Sequence, residues 1–251
     1  MDEHGATSSP GGGRPPALSI IIPTLNEADS IGETLDAALQ ARDGVEVIVV
    51  DGGSVDGTAE VVRGRGVRLV TAGRGRGLQM HAGARAARGG ALWFLHADTR
   101  PAAECAGLIA EALTDPGVVA GNFSVSFEGE GRAARFLTWL YPRLRKLGLC
   151  YGDSAIFVRR EAYREVGGFR PFPVFEDLDL VRRLRRRGRV VHLPAFVTTS
   201  SRRFEGRSFA PTFARWAFLQ ALYWAGVAPH RLGRMYAPVR GAGRRSKRDG
   251  G

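Results

Sequence analysis

Between residues 17 and 116 short apolar runs alternate with helix-patterned segments, and that rhythm leaves few folds open. LSIIIPT (18–24), VEVIVVD (45–51), VRLVTA (67–72) and ALWFLHA (91–97) read as buried strands. Between them, Ile31, Leu35 and Leu39 recur one helical turn apart with Asn26 as N-cap. GSVDGTAEVVRG turns into a short helix, and GLQMHAGARAARG reads as a helix closed by Gly89. PAAECAGLIAEALTD follows as a helix with Pro101 at its first position. Strand, helix, strand, helix implies an α/β domain whose mainly parallel sheet carries helices on both faces.

Beyond residue 117 the rhythm loosens. VVAGNFSVSF alternates like a half-exposed strand, RAARFLTWLYPRLRKLGL is a basic amphipathic helix, SAIFVRR is strand-like, and VVHLP is a short strand. LDLVRRLRRRG is a helix with Leu178, Val181 and Leu184 inward, and 209–235 is helical and apolar. The second half therefore continues the same domain as a mixed sheet with C-terminal amphipathic helices.

Composition narrows the function classes. The 36 basic and 25 acidic residues leave a net charge of +11, which suggests anionic partners. Only Lys146 and Lys247 are lysines; the rest are arginines in an Ala/Gly/Arg-heavy chain, a bias GC-rich codons alone could create, so nucleic-acid binding is set aside. Cys105 and Cys150 are too isolated for a disulfide framework or zinc site and read as reduced thiols of a cytosolic protein. Residues 1–16 lack a secretory pattern and read as a flexible leader. WAFLQALYWAGVA (216–228), broken by Gln220, is too short to span a bilayer.

In an open α/β sheet, ligands bind beyond the carboxyl ends of the strands, where strand order reverses. The first strand ends in PTLNE with Asn26 and Glu27, the second in DGGSVDGT with Asp51, and the fourth in HADT with Asp98. Three strands thus deliver acids to one rim, which argues for a site. Ser54 and Asp56 read as helix caps, and Gly52 and Gly53 as a tight turn that would also let a nucleoside approach the backbone. His81 and His192 read as packing residues, while His96 stays open between structure and chemistry.

GRGRGLQ (73–79) follows the third strand and does not match a dinucleotide fingerprint; its Arg74 and Arg76 suit either a diphosphate or a solvated loop. In FPVFEDLDL, Glu176 and Asp177 open a helix, as its dipole favours, and equally suit a general base in a cleft wall. Asp179 is expected to face the next turn.

Taken in order, SIIIPTLNE, VEVIVVDGGSVDGT, GLQMHAGARAARGGALWFLHADT, GDSAIFVRREAYREVGGF and FEDLDLVRRLRRRG resemble the inverting family 2 glycosyltransferases, in particular a small soluble bacterial subgroup, from Leu18 to Leu193. The resemblance implies a single Rossmann-like nucleotide-diphospho-sugar transferase domain over 17–236. It would divide into a nucleotide-binding half (17–116), an acceptor and catalytic half (117–206) and C-terminal helices (207–236), followed by a basic disordered tail (237–251).

It implies that Pro23, Thr24, Glu27, Asp51, Gly53, Arg74 and Ala97 lie against the nucleotide, Asp51 on the base and Arg74 near the base or diphosphate. Asp98 takes the last acidic place of the family's D-x-D motif and would hold a divalent metal, Mg²⁺ or Mn²⁺. His96 replaces the first carboxylate; histidine can ligate Mn²⁺ while Mg²⁺ prefers oxygen, so the choice between the two ions stays open. Asp177 sits where the family keeps its base, with Glu176 beside it, and Gly152 and Asp153 match a loop near the donor and acceptor sugars.

The donor would be a UDP- or GDP-sugar and the acceptor a hydroxyl, free or lipid-linked. SSRRFEGRSF lacks the Q-x-x-R-W motif of processive synthases. The C-terminal helices are expected to complete the core of a cytoplasmic protein; the alternative is a peripheral position on the inner membrane face. Two rivals remain: a nucleotidyltransferase, disfavoured because PTLNEADS replaces its glycine-rich phosphate loop, and a non-catalytic scaffold, supported only by His96.

Overall fold

The computed structural model describes residues 17–41, 44–128, 135–136, 138–140, 143, 152–200 and 209–235. The leader, the tail, Cys150 and most of the amphipathic segment from 132 to 149 lie outside the described residues.

The first half follows the expected alternation: β1 (Leu18–Thr24), α1 (Ala28–Leu39), β2 (Val45–Asp51), α2 (Thr58–Gly64), β3 (Arg68–Thr71), α3 (Arg76–Ala86) and β4 (Ala91–Phe94). β5 (Thr99–Pro101), α4 (Cys105–Ala112), β6 (Val118–Phe127), a 3-10 turn (Gly152–Ser154), β7 (Phe157–Arg159) and α5 (Arg160–Glu165) come next. α6 (Glu176–Leu184), β8 (Arg189–Thr199), α7 (Phe209–Trp224) and α8 (Pro229–Met235) complete the order. All eight strands form one sheet in the order β3-β2-β1-β4-β7-β6-β8-β5. β1 pairs in parallel with both β2 and β4, so strand order reverses at β1. β7 runs antiparallel between β4 and β6, and β6 pairs in parallel with β8.

Period-two alternation sorts the strand residues onto two covered faces. Ile20, Ile22, Val47 and Val49 pack with Ile31 and Leu35 of α1, while Ile21, Ile48 and Val50 pack with Met80 and Ala84 of α3. Trp93 is fully buried, and its indole N–H donates to the Ala155 carbonyl at 3.1 Å, tying β4 to the loop before β7. Cys105 is buried, and burial pushes its thiol up to about 12, which keeps it protonated and inert.

Four local expectations are corrected. Pro101 ends β5, and α4 starts only at Cys105, because 99–101 pair with β8 instead of winding. Glu27, not Asn26, occupies the N-cap of α1; Asn26 adopts φ 55 and accepts a bond from Val55 N–H. α3 ends at Ala86, three residues before Gly89. β6 is almost wholly buried, since it lies between β7 and β8 with both faces covered.

Candidate functional site

The ends of β1 and β2 are locked together by their following turns. Ser54 Oγ accepts from Asn26 N–H at 2.8 Å and Thr58 Oγ1 from Glu27 N–H at 2.9 Å. Asp56 accepts from Ala28 N–H and Thr58 N–H, each the first residue of a helix, so one carboxylate caps both α1 and α2. Asp51 accepts from Gly53 N–H and Ser54 N–H at 3.0 Å each, and from the hydroxyls of Ser54 and Thr24. Its four lone-pair directions are thus taken by its own rim. Gly53 supplies the left-handed turn, at φ 89, that this arrangement requires.

Gln79, which the motif reading did not single out, is buried and donates to both Thr24 O at 2.7 Å and Val50 O at 2.9 Å. Only its helical register, one turn beyond the Arg/Gly loop, could have announced it. Pro23 and Thr24 are buried at the end of β1, Glu27 is half-buried, and Ala97 is buried with its carbonyl accepting from Thr34 Oγ1 at 2.9 Å. Arg74 is exposed on the loop before α3.

The second group gathers residues from four distant segments. Arg76, the first residue of α3, donates through Nε to Glu176 Oε1, and Glu176 is 1% exposed. Burial works against the charge of Arg76, but Glu176, Asp177 and Asp153 outweigh it and hold the guanidinium above the ordinary arginine range. Glu176 Oε2 is buried without a hydrogen-bond partner. Asp177 is also buried and accepts from Leu178 N–H at 2.7 Å. Asp179 is buried and reaches the next turn of its helix, paired with Arg183 at 2.7 Å and also with Arg170 at 3.4 Å.

His96 stands at the end of β4, 6% exposed, with Nδ1 2.9 Å from Asp153 Oδ1. Neither ring nitrogen has a partner in hydrogen-bonding alignment. Behind Asp153, Ser154 Oγ accepts from Asn122, Asn122 Oδ1 lies 3.0 Å from His192 Nδ1, and His192 Nε2 lies 3.1 Å from Ser124 Oγ. His192 is therefore a structural support for the turn that carries Gly152 and Asp153.

Asp98 follows His96 by two residues in a turn closed by Thr99 N–H on His96 O, and lines a cleft of about 210 Å³. Ser30, Glu33, Thr34, Arg100, Glu128 and Ser200 form the rest of that cleft, where Arg100 bridges Glu33 and Glu128. Among the described residues no three His, Cys, Asp or Glu side chains are grouped to hold a metal ion.

Three non-glycine residues with positive φ adjoin this machinery: Asn26 before Glu27, Ala155 after Ser154, and Phe175 directly before Glu176. Such conformations cost of order 1–3 kcal/mol each and persist where the surroundings over-determine them. At Phe175 (φ 61) the surroundings are visible: its ring lies 4.9 Å from that of Tyr223, and Val174, Phe175 and Leu178 pack with Leu219 and Leu232. The C-terminal helices thus clamp the loop that presents Glu176 and Asp177.

A family model described as glycosyl transferase family 2 matches residues 19–167. Glycosyltransferase AglE of Haloferax volcanii is 28% identical over 174 residues, covering 63% of this chain and 56% of its own. The 4,4'-diaponeurosporenoate glycosyltransferase of Staphylococcus aureus is 46% identical over 54 residues, covering 22% of this chain and 14% of its own. The chain thus matches little more than half the length of the first relative and a small part of the second.

Among solved structures, mannosyltransferase PcManGT from Pyrobaculum calidifontis, in complex with GDP-Man and Mn²⁺, superposes with a TM-score of 0.64 at 25% identity, covering 92% of this chain and 69% of that one. Glucosyl-3-phosphoglycerate synthase from Mycobacterium tuberculosis, in complex with Mn²⁺, UDP and glucosyl-3-phosphoglycerate, shares the fold with a TM-score of 0.60 at 21% identity, covering 85% and 81%.

Proposed function

The chain belongs to glycosyl transferase family 2, and on that premise we propose that it moves a sugar from a nucleotide diphospho-sugar to a hydroxyl acceptor with inversion, Asp177 taking the acceptor's proton. The observation that carries this reading is the meeting of Arg76, Glu176, Asp177 and Asp153 beside His96 at the strand-end rim. The similar mannosyltransferase holds a GDP-sugar and Mn²⁺, which supports a donor of that class.

In this reading the nucleoside lies over the interlocked turns after β1 and β2, reached through the backbone at Gly53. Asp51 either holds those turns or, once Ser54 swings away, meets the base. Attack on the anomeric carbon breaks its bond to the diphosphate, leaving that group with added negative charge, which the Arg76 guanidinium offsets. The acceptor hydroxyl loses its proton to Asp177 on the opposite face of the sugar, as inversion requires. Arg76 acts twice: by gripping Glu176 it also fixes the first turn of α6, and so the direction of Asp177. Asp153, carried on its braced turn, would meet the transferred sugar.

A divalent metal fits this rim. His96 is buried with both ring nitrogens short of hydrogen bonds and a carboxylate 2.9 Å away, and Asp98 stands two residues on. Two such ligands, His96 and Asp153, would leave the rest of the ion's sphere to substrate phosphates, and a nitrogen donor suits Mn²⁺ better than Mg²⁺. When bound, the ion would supply further charge to the leaving diphosphate.

The test is a panel of UDP- and GDP-sugars scored by melting temperature with Mg²⁺ or Mn²⁺, followed by turnover. Asp177→Asn is expected to lose about 10²–10⁴-fold in turnover while the nucleotide still raises the melting temperature. Turnover at the parent rate would remove Asp177 from the role, and no response to any donor would remove the reading.

A further inference from the structure

α7 is apolar on two opposite sides. Leu219 and Gln220 are buried and Trp216 and Tyr223 half-buried against the loop that carries Phe175. Opposite them Ala217, Phe218, Ala221 and Trp224 are exposed, Phe218 by 54% and Trp224 by 60%, and together span about 120° of the helix circumference. Arg215 is the one charged residue in α7. A helix apolar all round is normally covered all round, and the described residues cover only one side of this one. Exposed apolar stripes of this kind mark contact with a partner or a bilayer. Among the described residues no helix is long and apolar enough to cross a membrane, so a bilayer would be met along the surface.

Charge selects between partners. From residue 206 to residue 248 there are nine basic residues and no acidic one, so most of the net charge of +11 resides in this stretch. Arg215, Arg231 and Arg234 are exposed on α7 and α8, beside exposed Met235. A second copy seated over α7 and α8 would bring like-charged arginines toward each other. An anionic headgroup layer pairs with the arginines, and the indole of Trp224 suits the boundary between headgroup and acyl chain.

We infer that the outer face of α7, with the arginines of α8, seats this protein on an anionic lipid surface. The same two helices clamp the loop bearing Glu176 and Asp177, so the seated protein holds its acidic cluster close to the bilayer and suits an acceptor carried on lipid. The surface itself does not depend on the transfer reading, because none of its residues belongs to the acidic cluster.

The experiment is co-sedimentation of the full chain, at low salt, with vesicles of phosphatidylcholine alone or of phosphatidylcholine and phosphatidylglycerol in equal parts. The chain is expected to pellet with the anionic vesicles only, and to be released as salt rises. F218S/W224S should lower partitioning at least about tenfold at unchanged melting temperature, because both side chains are exposed. R231Q/R234Q should also lower it and make the remainder less salt-sensitive, and this pair carries the test if the first does not fold. Three results would overturn the inference: a parent chain left in the supernatant with anionic vesicles, variants that partition like the parent, or a parent dimer that F218S/W224S converts to monomer. Donor-induced melting shifts, measured on the same samples, separate failure of this surface from failure of the donor site.

Discussion

Arg76 on α3 and Glu176 on α6 stand 100 residues apart in the chain and meet as an ion pair, the glutamate 1% exposed and the arginine 37% exposed. The pair joins the helix that follows β3 to the helix that carries Asp177.

Removing one partner should cost more than removing both. Arg76→Met leaves a buried glutamate without its cation and is expected to lower stability by about 2–3 kcal/mol, less than for a fully dry pair because water reaches the guanidinium. Adding Glu176→Gln to that variant should recover part of the loss. Urea unfolding of the four-member cycle measures the coupling, and additive losses would mean that the pair carries no interaction energy.

Gly77→Ala perturbs the same junction without touching a charge. A Cβ at Gly77 would stand 2.8 Å from the Arg170 carbonyl oxygen and 3.4 Å from Glu176 Cβ, so α3 must back away from the loop before α6. A loss of about 1–3 kcal/mol is expected, with turnover reduced further because Arg76 moves with its helix. Melting temperature and steady-state rates check both parts.

His96→Asp would set a second carboxylate beside Asp153. Without metal the like charges should lower the melting temperature; with metal and nucleotide the loss should be regained, and the preference for Mn²⁺ over Mg²⁺ should narrow by about tenfold. Titration of each ion in the presence of GDP or UDP, read by melting temperature, decides it. An unchanged preference would place His96 outside the metal's reach.

Glu46 predicts an acid-sensitive seam between the strands and α3. Burial raises its proton affinity, but Arg88 N–H, Ser19 Oγ and the Arg88 guanidinium together outweigh burial and hold the carboxyl below its ordinary value near 4.5. The unfolded chain therefore binds the proton more readily, and the contribution is present above pH 4.5 and lost as pH falls through the lower folded value. Glu46→Gln is expected to lower stability by about 1–2 kcal/mol at neutral pH, with the gap closing in acid. Chemical unfolding across pH 3–7 measures it.

Much of the architecture was legible because its causes are local. The continuous apolar runs of LSIIIPT and VEVIVVD and the one-turn spacing of Ile31, Leu35 and Leu39 reflect burial that each segment carries in its own residues. Helix ends were less legible: Pro101 has an equally good place in a strand, and only pairing with β8 chose between them. Arg183 meets Asp179 within one helix, whereas Arg170 reaches it from the loop before that helix, a contact only packing decides.

The amino-acid sequence alone determined which residue types stand at the strand ends and in what order, since hydrophobic period and turn chemistry act over a few neighbours. Only the tertiary structure decided which of those residues meet. It chose Arg76 instead of Arg74 as the partner of Glu176, turned the Asp51 carboxylate onto its own rim, set His96 against Asp153, and left one side of α7 bare. Contacts across 50 or 100 residues depend on how strands register and helices dock, and no short stretch of sequence contains that information.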